Sequence, residues 1–211
     1  MIQFKLLGIP VRVEPWFWLT MVLIGGGLHA NDALSILLVG VFVVAGFVSI
    51  LIHELGHALT IRRYGLPTEI ALIAFGGFAS YPANRLDRKQ SFLVTVAGPG
   101  IQAMLGLLAL AAFLLLPMPP ASLLRAFFYD LAVISLFWAL FNCLPVYPMD
   151  GGQMLAAVLG PRKLPWVFLT GALVAAAVGL AGYLTIGSLL LAVFMGFFAV
   201  KNWQDFVKSR G

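Results

Sequence analysis

A chain of 211 residues that is 62% hydrophobic and only 10% charged lies outside the range of soluble globular domains, in which about a quarter of residues are charged. The formal net charge of +5 sits in short breaks between apolar runs, so it calls for no nucleic-acid partner; a basic face against anionic lipid accounts for the same residues. The single cysteine, Cys143, excludes an internal disulfide and a Cys-based metal site.

The apolar residues form six elements in chain order, over 15–29, 34–62, 91–116, 122–144, 164–182 and 184–200. Several approach or exceed the roughly 20 residues that cross a bilayer as a helix. Before the first, Arg12, Glu14 and the cluster Pro15-Trp16-Phe17-Trp18 lead into a stretch without a small-residue cleavage site, which reads as a retained span; a cleaved signal peptide is the alternative. The first and last elements are short, and Gly25-Gly26-Gly27, Gly187 and Gly196 interrupt them, which suits a tilted, broken or interfacial segment. The expected fold class is an all-α polytopic membrane protein of about six transmembrane helices, forming one domain over 1–211.

Between the second and third elements, Glu69 to Tyr81 is too short to span and is centred on Gly76-Gly77. It reads as a small membrane-associated β-hairpin or re-entrant segment. Irregular backbone at membrane depth survives only against protein or a water-filled cavity, so the segment hints at a site; an ordinary surface hairpin with the glycine pair as its turn is the alternative.

With the six elements taken as spans, twelve of the thirteen Lys and Arg fall on one side and only Arg125 on the other. Cytoplasmic loops collect positive charge, so both termini are expected in the cytoplasm. Trp16, Trp18, Trp166 and Trp203 suit interfacial anchoring, while Phe75 and Phe78 either line a groove or pack the hairpin.

Chemistry is concentrated in His53-Glu54-Leu55-Gly56-His57, toward the cytoplasmic end of the second element. Residues four apart share a helix face, so both imidazoles can reach one metal while Glu54 addresses a water bound to it. Three ionisable groups within a long apolar helix are costly and point to function, against the blander reading of polar glue between helices. Catalytic zinc takes three protein ligands and leaves a position for water, so a third ligand is needed. His29 falls on the opposite side, Asp87 sits among Arg85, Arg88 and Lys89, and Glu69 and Asp130 are poorly placed, which leaves Asp150. It follows two prolines, Pro145 and Pro148, near the same face as His53 and His57, and precedes Gly151-Gly152, which permit an unusual turn.

These residues resemble the site-2 protease family of intramembrane zinc metalloproteases. That family pairs HExxH with a later Asn-x-x-Pro-x-x-Pro-x-Asp-Gly, matched here by Asn142, Pro145, Pro148, Asp150 and Gly151. The resemblance implies one Zn2+ per chain on His53, His57 and Asp150, Glu54 as general base, and Asn142 in substrate binding. It implies that Gly76 and Gly77 belong to a β element pairing with an extended substrate. It extends to Ala97-Gly98-Pro99, although Gln102 stands where the family usually has asparagine, a departure expected to bear on helix packing and not on the metal. The implied activity is hydrolysis of a peptide bond in or near the transmembrane segment of single-span or signal-peptide-like substrates, in a prokaryotic cytoplasmic membrane with the site toward the cytoplasm. The match covers about residues 10–200 and leaves no room for the PDZ or CBS domains of many relatives. A metal transporter or an inactive metal-binding relative are the competing readings; neither an internal repeat nor a missing catalytic residue supports them.

Overall fold

Ordered structure begins ahead of any span. Ile2–Leu6 (β1) and Ile9–Val13 (β2) pair antiparallel, with Ile2 opposite Val13 and Leu6 opposite Ile9. The link Leu7-Gly8 has φ values of 51° and 76°, the two successive left-handed positions of a type I′ hairpin turn. Ile9, Val11 and Val13 are buried while Pro10 is exposed, the alternation of a half-buried strand. The coordinates are those of a computed structural model and describe residues 1–83 and 85–210.

Glu69–Ile73 (β3) runs parallel to β2, and Gly76–Ser80 (β4) folds back antiparallel on β3, which makes a four-stranded sheet in the order β1-β2-β3-β4. The hairpin expected over 69–81 is therefore present, but its turn is Ala74-Phe75. The glycines are strand residues, Gly76 opposite Ile73 and Gly77 opposite Leu72. The all-α expectation is corrected to a mostly helical protein with a small open sheet, because residues 2–13 supply a second hairpin.

Among the described residues the α-helices are Pro15–Ile24 (α1), Ala33–Arg63 (α2), Arg88–Leu115 (α3), Leu123–Asn142 (α4), Asp150–Leu159 (α5), Leu164–Ile186 (α6) and Leu189–Lys208 (α7); all but α5 fall on the apolar elements of the sequence. By length and composition α2, α3, α4 and the segment Pro161–Ile186 containing α6 can cross a membrane, which makes the protein polytopic. With 10 residues, α1 is only about 15 Å long, half the hydrocarbon thickness. The second half of α7 carries Lys201, Asp205 and Lys208.

The 31 residues of α2 extend about 46 Å. Its start is set by Asp32, whose carboxylate accepts the backbone N–H groups of Leu34 and Ser35 at 2.9 Å while the Asp32 N–H donates to the Ser35 hydroxyl at 3.2 Å. The Ser35 N–H bond is the main cause that holds the Asp32 carboxyl below its usual range, against a smaller opposing effect of desolvation. Arg62 and Arg63 occupy the last turn, where cations suit the helix dipole.

Contacts divide the chain into two units, Met1–Arg85 with Ala97–Leu140, and Leu86–Val96 with Phe141–Gly211. In the first, Ile9, Val11, Val13, Ile70 and Leu72 of the sheet bury against Phe17 and Met21 of α1 and Ile50, Leu51, Leu55 and Ala58 of α2. The helix that carries His53 and His57 thus has one face sealed by the sheet. A second cluster, Ala45, Ala109, Leu131, Ala132 and Ile134, joins α2, α3 and α4. In the second unit, Val146, Met149, Ala175 and Met195 form the core. There α6 ends on Gly187 in the left-handed conformation, and the Ser188 side chain caps α7. Close packing of this helix pair depends on small residues, since a Cβ on Gly182 would lie 2.5 Å from Leu191.

Candidate active site

Ser49, His53 and His57 follow one another at four-residue spacing along α2 and form a buried polar stripe, with exposures of 0%, 4% and 8%. The Nε2 atoms of His53 and His57 face each other at 3.0 Å. Two imidazole nitrogens on one tetrahedral zinc, each at about 2.0–2.1 Å, lie about 3.3 Å apart, so the pair fits a shared ion with little movement. Glu54, 3% exposed, sits beside them on the turn facing β4.

Glycines admit this arrangement by their lack of a side chain. A Cβ on Gly98 would fall 2.2 Å from His57 Nε2 and 2.4 Å from its Cε1. One on Gly56 would fall 2.5 Å from the Ala97 carbonyl oxygen, so α2 and α3 touch backbone to backbone at the motif. On the other side, a Cβ on Gly77 would lie 2.8 Å from Glu54 Cγ and 2.9 Å from Glu54 Oε1. Of the two hairpin glycines, Gly77 is the one against the carboxylate; a Cβ on Gly76 would meet nothing within 4 Å.

Gln102, fully buried at 0% exposure, accepts from or faces His53 Nδ1 through its Oε1 at 2.8 Å. Beyond the helix packing expected of this position, its amide lies on a motif histidine. The departure from asparagine lies against the chemistry.

In the second unit, Asn142 ends α4 half-buried, residues 143–149 turn, and Asp150 opens α5 with 8% exposure. Its carboxylate stands in the first turn, at the positive end of the helix dipole. Gly151 and Gly152 do not make the unusual turn expected of them. They are helical, and what they permit is close approach, since a Cβ on Gly151 would lie 2.1 Å from the Cys143 carbonyl oxygen and one on Gly152 would lie 2.5 Å from Tyr147 N. Burial, followed by the Asp150 charge, pushes the Cys143 thiol up.

The turn is pinned from α7. Asn202, 1% exposed, donates from Nδ2 to the Tyr147 carbonyl at 2.6 Å and accepts the Tyr147 N–H at 3.3 Å. Asn202→Ala strands both Tyr147 backbone groups in a partly buried turn, with an expected loss of about 1–3 kcal/mol of stability, to be read as a lower unfolding midpoint in detergent. An unchanged midpoint would show that water replaces the amide.

The acids set aside in the sequence have structural roles or solvent contact. Asp87 accepts the Gln90 N–H at 2.8 Å ahead of α3, and Glu69 is exposed at the start of β3. His29, also exposed, follows α1. Sequence reasoning passed over Ser49, Ser135 and Asn202, and it noted Gly98 and Gln102 without giving either a place beside the histidines. The four-residue spacing of Ser49 to His53 to His57 was the signal available for Ser49.

A buried HExxH helix sealed by a small sheet within a polytopic chain defines a membrane metallopeptidase fold. The model of peptidase family M50 matches residues 41–122 and 118–186, and the chain belongs to this family, that of the site-2 proteases. It is 32% identical over 179 residues to a zinc metalloprotease of Methanocaldococcus jannaschii, covering 83% of this chain and 49% of that protein. It is 31% identical over 166 residues to stage IV sporulation protein FB of Bacillus subtilis, covering 75% of this chain and 50% of that protein. The solved structure of the site-2 protease from Methanocaldococcus jannaschii matches with a TM-score of 0.67 at 26% identity, over 96% of this chain and 94% of that one. The chain spans about half the length of the curated relatives it matches.

Proposed function

We propose that this protein is an intramembrane zinc metalloprotease that hydrolyses a peptide bond in or near the transmembrane segment of membrane-protein substrates. The observation that carries this reading is the buried pair His53 and His57, Nε2 to Nε2 at 3.0 Å, with Glu54 adjoining on a helix long enough to span. Asp150 is the third ligand in this proposal. Support comes from its burial and from the family match, whose span includes all three residues.

One zinc ion per chain would be held by His53, His57 and Asp150, and when bound it supplies a water of lowered pKa and polarises the scissile carbonyl. Glu54 takes the proton of the attacking water and returns it to the departing amide nitrogen. Gly77 leaves room for the Glu54 side chain to hold that position. Asn142 donates to the substrate carbonyl oxygen as negative charge develops there. A helical substrate has its carbonyls hydrogen-bonded already, so it must unwind locally. β4 is an edge strand of the sheet, and its open side can pair with the unwound segment, which would otherwise leave backbone groups unsatisfied in lipid. Gly76 starts that edge with φ 156°. Gly76→Val is expected to strain the edge and impair cleavage while zinc content stays at the wild-type level; undiminished cleavage would remove β4 from substrate binding.

The membrane arrangement follows from charge. With α1, α2, α3, α4, α6 and α7 as the six embedded elements, the lopsided Lys and Arg distribution favours cytoplasmic termini and a site toward the cytoplasm. The substrates are single-span or signal-peptide-like proteins reached through the bilayer.

The test is zinc content and cleavage of a single-span substrate by purified protein in lipid. Wild type is expected to bind about one zinc and cut, and Asp150→Ala to bind zinc at least about tenfold more weakly and not cut. Wild-type zinc affinity in Asp150→Ala would remove Asp150 from the ligand set. Zinc binding without cleavage of any substrate would favour a metal-binding or metal-transporting role.

A further inference from the structure

The buried amide of Gln102 is held at both ends by partners on α2. Its Oε1 is 2.8 Å from His53 Nδ1, and its Nε2 donates to the Ser49 hydroxyl at 3.0 Å and to the Ser49 carbonyl at 3.4 Å. The Ser135 hydroxyl, from α4, donates to the same Ser49 hydroxyl at 2.9 Å. Gln102, Ser49 and Ser135 all have 0% exposure. A backbone carbonyl only accepts, so the amide end facing Ser49 is the NH2 and the end facing His53 is the oxygen. An amide oxygen only accepts in turn, so the ring atom opposite it carries a proton.

We propose that Gln102 is a positioning residue that fixes His53 as its Nδ1–H tautomer and aims Nε2, with its lone pair, at the shared point it forms with His57, and that Ser49 and Ser135 anchor the amide in the required orientation. A metal-ligating imidazole ordinarily has its second nitrogen held by such a partner, which sets the ring angle and the tautomer together. Here the partner is neutral and is itself oriented by a second pair of side chains. The amide must span from His53 to Ser49, one helical turn apart on α2, and does so at the cost of no unsatisfied group of its own. The metal part of the inference rests on the proposed zinc site; the tautomer does not.

The chain has three histidines, His29, His53 and His57, so its histidine 15N spectrum is simple and His53 can be assigned by its loss in His53→Asn. In metal-free wild type at alkaline pH, His53 is expected with Nδ1 protonated and Nε2 bare. Gln102→Met keeps the volume and removes the acceptor; it is expected to redistribute the His53 tautomers and to weaken zinc, measured against a competing chelator, by about 10–100-fold. Ser49→Ala, which touches no proposed ligand atom, is expected to shift both readouts in the same direction by less, and it serves alone where Gln102→Met does not fold. An Nε2-protonated His53 in wild type overturns the proposal. So does a Gln102→Met protein whose tautomer and zinc affinity match wild type while its unfolding midpoint drops, since that is the behaviour of a packing residue. Should wild type bind no zinc yet show Nδ1–H on His53, the proposed function fails and the tautomer assignment stands.

Discussion

Gly98→Ala is expected to abolish zinc binding and cleavage while leaving the protein folded. The added methyl carbon would stand 2.2 Å from His57 Nε2 and 2.8 Å from its Cδ2, contacts that no side-chain adjustment within the ring can relieve. Either the imidazole swings away from His53, or α3 backs off from α2. The second route is obstructed, because Gly56 already brings α2 against the Ala97 carbonyl and Ile101, and α3 is further tied to α2 through Gln102. Overpacking of this kind costs about 1–3 kcal/mol, which a folded membrane protein tolerates, whereas displacement of a ligand nitrogen by even about 1 Å leaves the metal without a bond. Zinc affinity should fall by more than about 100-fold, beyond what loss of an outer partner produces. Gly100→Ala is the control two residues along the same helix. Its Cβ would meet nothing within 4 Å, so wild-type zinc content and equal or slightly greater stability are expected. If Gly98→Ala binds zinc as wild type does, His57 is not a ligand through Nε2.

The legibility of this site followed the kind of constraint at each residue. The proposed site residues His53, Glu54, His57 and Asp150 stand out in the sequence because metal chemistry demands particular residue types at fixed spacings, and an apolar background makes such residues conspicuous. The contact of Gln102 could not be read, because its partner His53 lies 49 positions earlier in the chain, and a lone glutamine in a span carries no spacing of its own. Asn202 is the same case at a separation of 55 residues from Tyr147. The long helices were legible for the reason the spans were: an apolar run of sufficient length admits few alternatives in lipid. The sheet was half legible. Glu69 to Tyr81 was too short to span as a helix and centred on a glycine pair, but β1 and β2 precede the first apolar run, and the parallel register Val11 to Ile70 joins segments separated by two helices. No local pattern encodes that pairing. The placement of the turn at Ala74-Phe75 was also hidden, since Phe75 has φ 63°, a conformation a sequence reader assigns to the neighbouring glycine.

Glu54→Gln separates the metal from the chemistry. The replacement keeps shape and polarity in a pocket where Glu54 is 3% exposed and fitted against Gly77, so fold and zinc content are expected to match wild type. What the amide cannot do is take a proton from the attacking water and hand it to the leaving nitrogen, and loss of a general base costs about 10²–10⁴ in rate. Cleavage should therefore fall by at least about 100-fold at unchanged zinc occupancy. Gly77 supplies an independent check on the same carboxylate. Gly77→Ala would press a methyl carbon to 2.8 Å from Glu54 Cγ and displace the base without removing it, so a smaller loss than that of Glu54→Gln is expected, again with zinc retained. Both variants leave His53 and His57 untouched. Robust turnover by Glu54→Gln would transfer the proton to another group and leave Glu54 as a buried polar neighbour of the histidines. A coordinated loss in both, graded as the geometry grades them, ties hydrolysis to the one carboxylate that the hairpin and α2 hold between them.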